Sequence, residues 1–247
     1  MLGISIIIPS IRYENWLRVL DSVYSSCTKY PFEIIFVGPD CLVMPVDGFK
    51  VRHIKSFASP NTCQQLGLLE AKYDITTHFA DDCVFKPGML DKCIDTLVQE
   101  QDNKEHVVLT KYTEGGDTLQ NDDYYKLTKA YPKARYIDDS WWIFNSAFFW
   151  RTYLIYLGGW DCIFDVPCVA HADLAVRAQR DGCKISFVKE SLCHCDHGQN
   201  DHMPIEISHG YKDAPIYKEL HDNDPDRIRI PLDNWKLAPE VWRRYAK

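Results

Sequence analysis

The chain has 247 residues, 46% hydrophobic and 13% aromatic, with a formal net charge of −7 and a pI near 5.7. That is enough apolar material for one sizeable core, and the acidic balance argues against a general nucleic-acid binder, which would carry a basic face. The apolar runs Ile4–Pro9 and Phe32–Val37 fall far short of the roughly 20 residues of a transmembrane segment.

Met1-Leu-Gly-Ile4 puts no charged region ahead of an apolar one, so no signal peptide is expected. The ten cysteines are scattered without a C-x-x-C pair, which fits reduced thiols in a cytoplasmic setting, mostly serving as small buried hydrophobes.

The first expected element is a strand at Ile4–Ile8, ended by Pro9. Trp16, Leu20, Val23 and Tyr24 recur at helical spacing over 13–25. Phe32–Val37 is a second strand stopped by Gly38-Pro39, and Lys50–Ile54 a short third. Ser59-Pro60 caps a helix with Leu66, Leu69 and Tyr73 on its apolar face. Ile75–Ala80 reads as a buried strand, and Leu90, Ile94, Leu97 and Val98 mark another helix. This alternation predicts an α/β fold, a mostly parallel central sheet flanked by helices. Residues 110–140 show no clear period and read as an insertion or a mobile loop. A strand at 144–151, a helix at 173–181 closed by Gly182 and a strand at 184–188 follow. The expected division is a catalytic domain over 1–198 and an irregular C-terminal extension over 199–247 packed on it. Residues 234–247 form a candidate helix carrying Trp235 and Trp242.

The chemistry concentrates at Asp81-Asp82, where a buried strand delivers paired carboxylates to its carboxyl end. Magnesium-type sites use one or two carboxylates plus phosphate oxygens, and ligands of open α/β sheets bind outside the carboxyl ends of the strands. A solvated Asp-Asp turn is the plainer alternative. Cys193-His194-Cys195-Asp196-His197 is a dense run of ligand types. It reads as a metal ligand source, as a zinc site with Cys162 or Cys168, or as a surface loop without a ligand.

Six segments in order resemble glycosyltransferase family 2: Ser5–Ser10, Glu33–Val37, Gln65–Leu68, Asp81-Asp82, Gly158-Gly-Trp-Asp161, and Asp173-Leu-Ala-Val-Arg177 with Gly182. The resemblance spans roughly residues 4–198. It implies a GT-A-type, Rossmann-like fold, a nucleotide-diphosphate sugar donor (a UDP-sugar first), a Mn2+ or Mg2+ ion, and inverting transfer to a glycan or other hydroxyl acceptor. It further implies that Pro9, Ser10, Arg12, Asp40, Gln65, Asp81 and Asp82 bind the donor, with Asp81 toward the ribose and Asp82 on the metal. His194 or His197 would complete the metal site. Trp160 and Asp161, with Trp142 from the variable stretch beside Asp138 and Asp139, would meet the acceptor.

The chain departs from the family at Ala80, which replaces the first acid of a longer run. It also departs after the second strand, where Gly38-Pro39 leaves Asp40 as a shifted substitute, and at His171, which stands where the base carboxylate is expected. Histidine can serve as a base near neutrality. Asp173 is the other candidate, although it can equally pair with Arg177 at i,i+4. Two other readings remain: a nucleotidyltransferase, disfavoured by the absence of glycine in Pro9-Ser10-Ile11-Arg12, and a non-catalytic binding module on a decayed transferase fold.

Overall fold

The structure, a computed structural model, describes residues 1–40, 50–114, 141–195 and 212–238. In chain order the strands are β1 (Ile4–Pro9), β2 (Phe32–Gly38), β3 (Val51–Lys55), β4 (Ile75–His78), β5 (Cys83–Phe85), β6 (His106–Glu114), β7 (Ala147–Trp150) and β8 (Lys184–Cys195). The helices are α1 (Trp16–Ser26), α2 (Pro60–Glu70), α3 (Met89–Val98), α4 (Arg151–Tyr156), α5 (Pro167–Arg180) and α6 (Asp213–Asn223).

The strands form one sheet in the order β3-β2-β1-β4-β7-β6-β8-β5. The pairs β1/β2, β2/β3, β1/β4 and β6/β8 are parallel; β4/β7, β6/β7 and β5/β8 are antiparallel. The expected mostly parallel sheet is therefore present. β1 and β2 are buried along their whole length, which is why they read as unbroken apolar runs rather than alternating ones. Their two faces meet different partners. Ile34 and Phe36 join the cluster holding Trp16, Val19 and Val23 of α1, whereas Ile35 and Val37 pack with Cys63 of α2. Phe36 lies flat on Trp16, with ring centroids 4.0 Å apart.

Local signals start the elements as expected. Ser59 Oγ accepts from the Thr62 amide at 3.3 Å with Pro60 in the first turn, satisfying one amide that the helix leaves unpaired. Some boundaries move. The strand expected at 144–151 is trimmed to β7, because Arg151 already begins α4. The helix expected from 173 begins at Pro167, a residue suited to a first helical turn. β8 runs on to Cys195, and α6 appears in the tail where no element was expected. Near the C-terminus only a short 3-10 turn, Asn234–Leu237, is described, so the expected helix and Trp242 lie largely outside the described residues. Among the described residues, no helix is long and apolar enough to cross a membrane.

A tight turn links α4 to the segment before α5. Gly158 and Gly159 both take positive φ, 87° and 74°, which glycine tolerates without the strain a side chain meets. Space forbids a side chain as well. A Cβ on Gly158 would lie 2.1 Å from the Ile230 carbonyl oxygen, and one on Gly159 would lie 2.0 Å from Gln65 Oε1.

Gly159→Ala is expected to cost about 1–3 kcal/mol from backbone strain alone, with the clash against Gln65 adding to it. Urea unfolding checks this as a lower midpoint at unchanged slope.

Candidate active site

β1 and β4 are parallel neighbours, but the chain leaves β1 toward β2 and β3 on the other side. Strand order reverses between them, and their carboxyl ends open the crevice where open α/β sheets hold ligands. The loop after β1 and the turn after β4 meet there. Asp81 Oδ2 accepts hydrogen bonds from Ser10 Oγ at 3.0 Å and from the amides of Ile11 at 3.1 Å and Arg12 at 2.9 Å. Asp81 Oδ1 accepts from Arg12 Nε at 2.8 Å and from Nη2, which also reaches Asp82 Oδ2 at 3.1 Å. Burial pushes the Asp81 carboxyl up while Arg12 holds it down, and burial prevails. Ser10 Oγ accepts in turn from Trp16 Nε1 at 2.7 Å. Pro9 sits beside this group at the buried end of β1, in register with Val37. Asp40 follows the end of β2, and its charge acts on His53 of β3. Ser10, Arg12, Asp81 and Asp82 thus come together, with Pro9 adjoining.

Other expected ligand residues have different surroundings. Gln65 is fully buried on α2, where its Nε2 donates to the carbonyls of Gly158 at 3.0 Å and Leu232 at 2.9 Å. Its Oε1 accepts from the Trp160 amide at 3.0 Å. Its amide thus fastens α2 to the glycine turn and the C-terminal segment, a structural role beside the expected donor-binding one. Trp160 is likewise fully buried, edge-on to His78 with centroids 5.1 Å apart. In this arrangement its indole lies in the core and presents no face to an acceptor sugar. Trp142 is half-buried, tilted against Phe187 at 4.7 Å, and its amide donates to Gln179 Oε1 at 2.9 Å. Asp161 is buried, accepting from the Ile163 amide and bonding Arg227.

Asp161 belongs to a buried ionic network centred on Asp173. Arg177 Nε donates to Asp173 Oδ2 at 2.7 Å, and both side chains are 0% exposed. Asp173 Oδ1 lies 3.0 Å from His221 Nε2 and 3.5 Å from Arg227 Nε. Burial alone would raise this carboxyl, but Arg177, His221 and Arg227 together hold it well below the usual carboxylate range. The remaining Arg177 donors reach the carbonyls of Leu157 at 2.7 Å, Gly159 at 2.6 Å and Ile228 at 3.3 Å. The i,i+4 pairing of Asp173 with Arg177 is therefore realised, as one part of a larger arrangement. A proton acceptor needs a free lone pair and a pKa near the working pH; Asp173 is committed to two guanidinium groups and the His221 ring.

His171 occupies a second buried cluster. Its Nε2 faces the Gln64 amide group at 3.1–3.2 Å and its Nδ1 faces Asn145 Oδ1 at 3.3 Å. His78, the last residue of β4, lies 4.5 Å away ring to ring. Burial lowers the His171 pKa to about 3, and His78 is pushed well below its ordinary value first by burial and then by its neighbour. Both rings are neutral at pH 7. The sequence offers one signal for this cluster, a histidine inside the buried strand 75–80. Gln64 and Asn145 carry none.

A hard cation fits the acidic pair in the form that keeps most of its coordination on water and phosphate, since Asp82, buried beside Asp81 just after β4, offers carboxylate oxygen. His194 pairs with Val84 across β5 and β8. His197 lies outside the described residues, as do Asp138 and Asp139. Among the described residues, neither Cys162 nor Cys168 joins Cys193 and Cys195 in a ligand group. The Cys162 amide bonds Asn234 and its thiol faces the Trp160 carbonyl, and Cys168 lies in the first turn of α5.

The sheet order, the helices on its faces and the crevice at the strand reversal define a fold of the GT-A type. Solved structures sharing it include those of S. aureus TarS. One matches with a TM-score of 0.56 at 12% identity, covering 81% of this chain and 38% of that one. TarS 1–349 matches at 0.54 and 13% identity, over 79% of this chain and 60% of that one. TarS 1–349 in complex with UDP matches at 0.54 and 14% identity, over 81% and 62%. The chain thus spans less than two thirds of each. No protein-family profile and no curated protein sequence matches it.

Arg177→Met should lower stability by about 3–5 kcal/mol, because it takes the nearest counter-ion from the buried Asp173 carboxylate; chemical denaturation reads this directly. His171 gives a second outcome. Its folded pKa lies below the unfolded value near 6.5, so the unfolded chain binds the proton first. Its contribution is present above about pH 6.5 and is lost as pH falls toward 3, at up to about 1.4 kcal/mol per pH unit. Asp213, raised to about 6 by burial, acts in the opposite direction. The check is therefore a difference: His171→Gln should show a shallower loss of stability than the native chain between pH 6.5 and 4.

Proposed function

We propose that this chain is a nucleotide-sugar transferase. The donor's diphosphate would lie at Asp82 and its nucleoside along the loop Pro9–Arg12, a UDP-sugar being the first candidate. The observation that carries this reading is the buried Asp81 carboxylate, bonded to Ser10, Ile11 and Arg12 where strand order reverses. This is the position at which α/β sheets take nucleotides. Likeness in fold to the UDP complex of TarS 1–349 supports it.

Asp81 fixes the loop, so that the ligand meets backbone and side chains already ordered, which reduces the entropic cost of binding. Arg12 brings positive charge beside the acidic pair. A Mn2+ or Mg2+ ion held by Asp82 would supply neutralisation of the charge on the departing nucleoside diphosphate. Inverting transfer also needs a group to take the proton of the acceptor hydroxyl, a glycan or another alcohol. His171 is the better candidate: it is neutral and bonded to uncharged amides, whereas Asp173 is held by cations. A non-catalytic module is the second reading, favoured by the same lowered His171 pKa, which makes a weak base.

The test is release of nucleoside diphosphate from a panel of nucleotide sugars with manganese and alcohol acceptors. Release by the native chain should disappear in Asp82→Ala. It should fall about 100- to 10,000-fold in His171→Gln, with nucleotide binding retained. Nucleotide binding by folded protein with no turnover of any donor would transfer the assignment to the binding module.

A further inference from the structure

Directly after Asp82 the chain enters β5, a three-residue strand at the edge of the sheet. β5 runs antiparallel to β8, with Cys83 opposite Cys195 and Phe85 opposite Cys193. Alternate residues of a strand face the same side, so Cys83, Cys193 and Cys195 share one face while His194 turns to the other. The three thiols are buried, and the Sγ atoms of Cys83 and Cys195 stand 3.1 Å apart. All three Sγ atoms lie within 4.8 Å of one another.

Buried cysteines are ordinary core residues, and Cys27, whose thiol faces the Tyr30 carbonyl, is one here. The trio differs in its convergence. A cation bonded to three thiolates at about 2.3 Å sets the sulfurs about 3.8 Å apart in tetrahedral geometry, so only small side-chain shifts separate this arrangement from a coordination shell. Thiolate sulfur selects zinc or monovalent copper over the oxygen-seeking magnesium and manganese. Among the described residues this is also the only group of three such ligands whose donor atoms come together.

We infer that Cys83, Cys193 and Cys195 form a thiolate site for a cation of the zinc class, separate in chemistry from the carboxylate at Asp82. Binding exchanges three thiol protons for one divalent cation, and the protons pass to the buffer. Its fourth coordination position is filled from outside the trio. The site fastens the short β5 to β8, and because Cys83 adjoins Asp82 it also anchors the turn that carries the acidic pair.

The experiment titrates reduced, full-length protein with Co2+, then with Zn2+. One cobalt per chain should bind with sulfur-to-cobalt charge-transfer absorption in the near ultraviolet and tetrahedral visible bands, both displaced by Zn2+. Cys193→Ser and the double change Cys83→Ala with Cys195→Ala should abolish the signal in protein that keeps its circular dichroism; Cys168→Ser should retain it. X-ray absorption on the zinc-loaded native chain needs no variant and should show a shell of about three sulfurs near 2.3 Å. Absence of charge transfer in reduced native protein, a shell of nitrogen and oxygen alone, or a signal surviving loss of the trio each overturns the site. So does mass spectrometry showing a stable disulfide within the trio that persists in reductant.

Discussion

The carboxylate of Asp81 is the constraint on which the crevice depends. A buried carboxylate is costly unless it is paired and hydrogen-bonded, and Asp81 meets that condition by drawing in Ser10, Ile11 and Arg12. Two chain segments 70 residues apart are thereby fixed to each other. Charge-assisted bonds of this kind are stronger than neutral ones, so the loop after β1 is held by the same group that marks the end of β4. Asp82, next in sequence, inherits a defined place beside Arg12.

A second buried carboxylate organises the segments that follow β7. Asp173 gathers Arg177, His221 and Arg227, and Arg177 in turn spans the carbonyls of the glycine turn and of Ile228. Here the positional likeness to a transferase base and the physical surroundings diverge. A carboxylate that holds three elements together is poorly suited to exchange protons with a substrate. Gln65 illustrates the same divergence on α2: its place in the motif suggests a ligand, while its amide is spent on backbone groups of the 158–160 turn.

Much of the fold was legible because its signals are local. β1, β2, α1 and α2 rest on apolar periodicity, Pro9 and the Ser59-Pro60 start, and the strand ending at Asp81-Asp82 rests on the same kind of pattern. The i,i+4 relation of Asp173 and Arg177 was legible for that reason too. What was not legible depends on contacts distant in sequence. His221 reaches Asp173 from 48 residues away, and Arg227 reaches Asp161 from 66. The register that sets Cys83 against Cys195 joins positions 112 apart, so the run Cys193-His194-Cys195 could not announce its third partner and pointed instead to Cys162 or Cys168. β5, with three residues, is too short for periodicity to reveal. α6 lies in a stretch rich in aspartate, histidine and proline, where composition masks the apolar positions Ala214 and Tyr217 that bury it.

Trp16 links the core to the crevice in a way that has an optical consequence. Its ring lies flat on Phe36, and its Nε1 donates to the Ser10 hydroxyl that also bonds Asp81. Indole emission responds to the hydrogen bond at Nε1 and to charge nearby, so this residue is wired as an intrinsic fluorophore to the carboxylate floor. Its wavelength would register the electrostatic state of the acidic pair from inside the core, without any label on the surface.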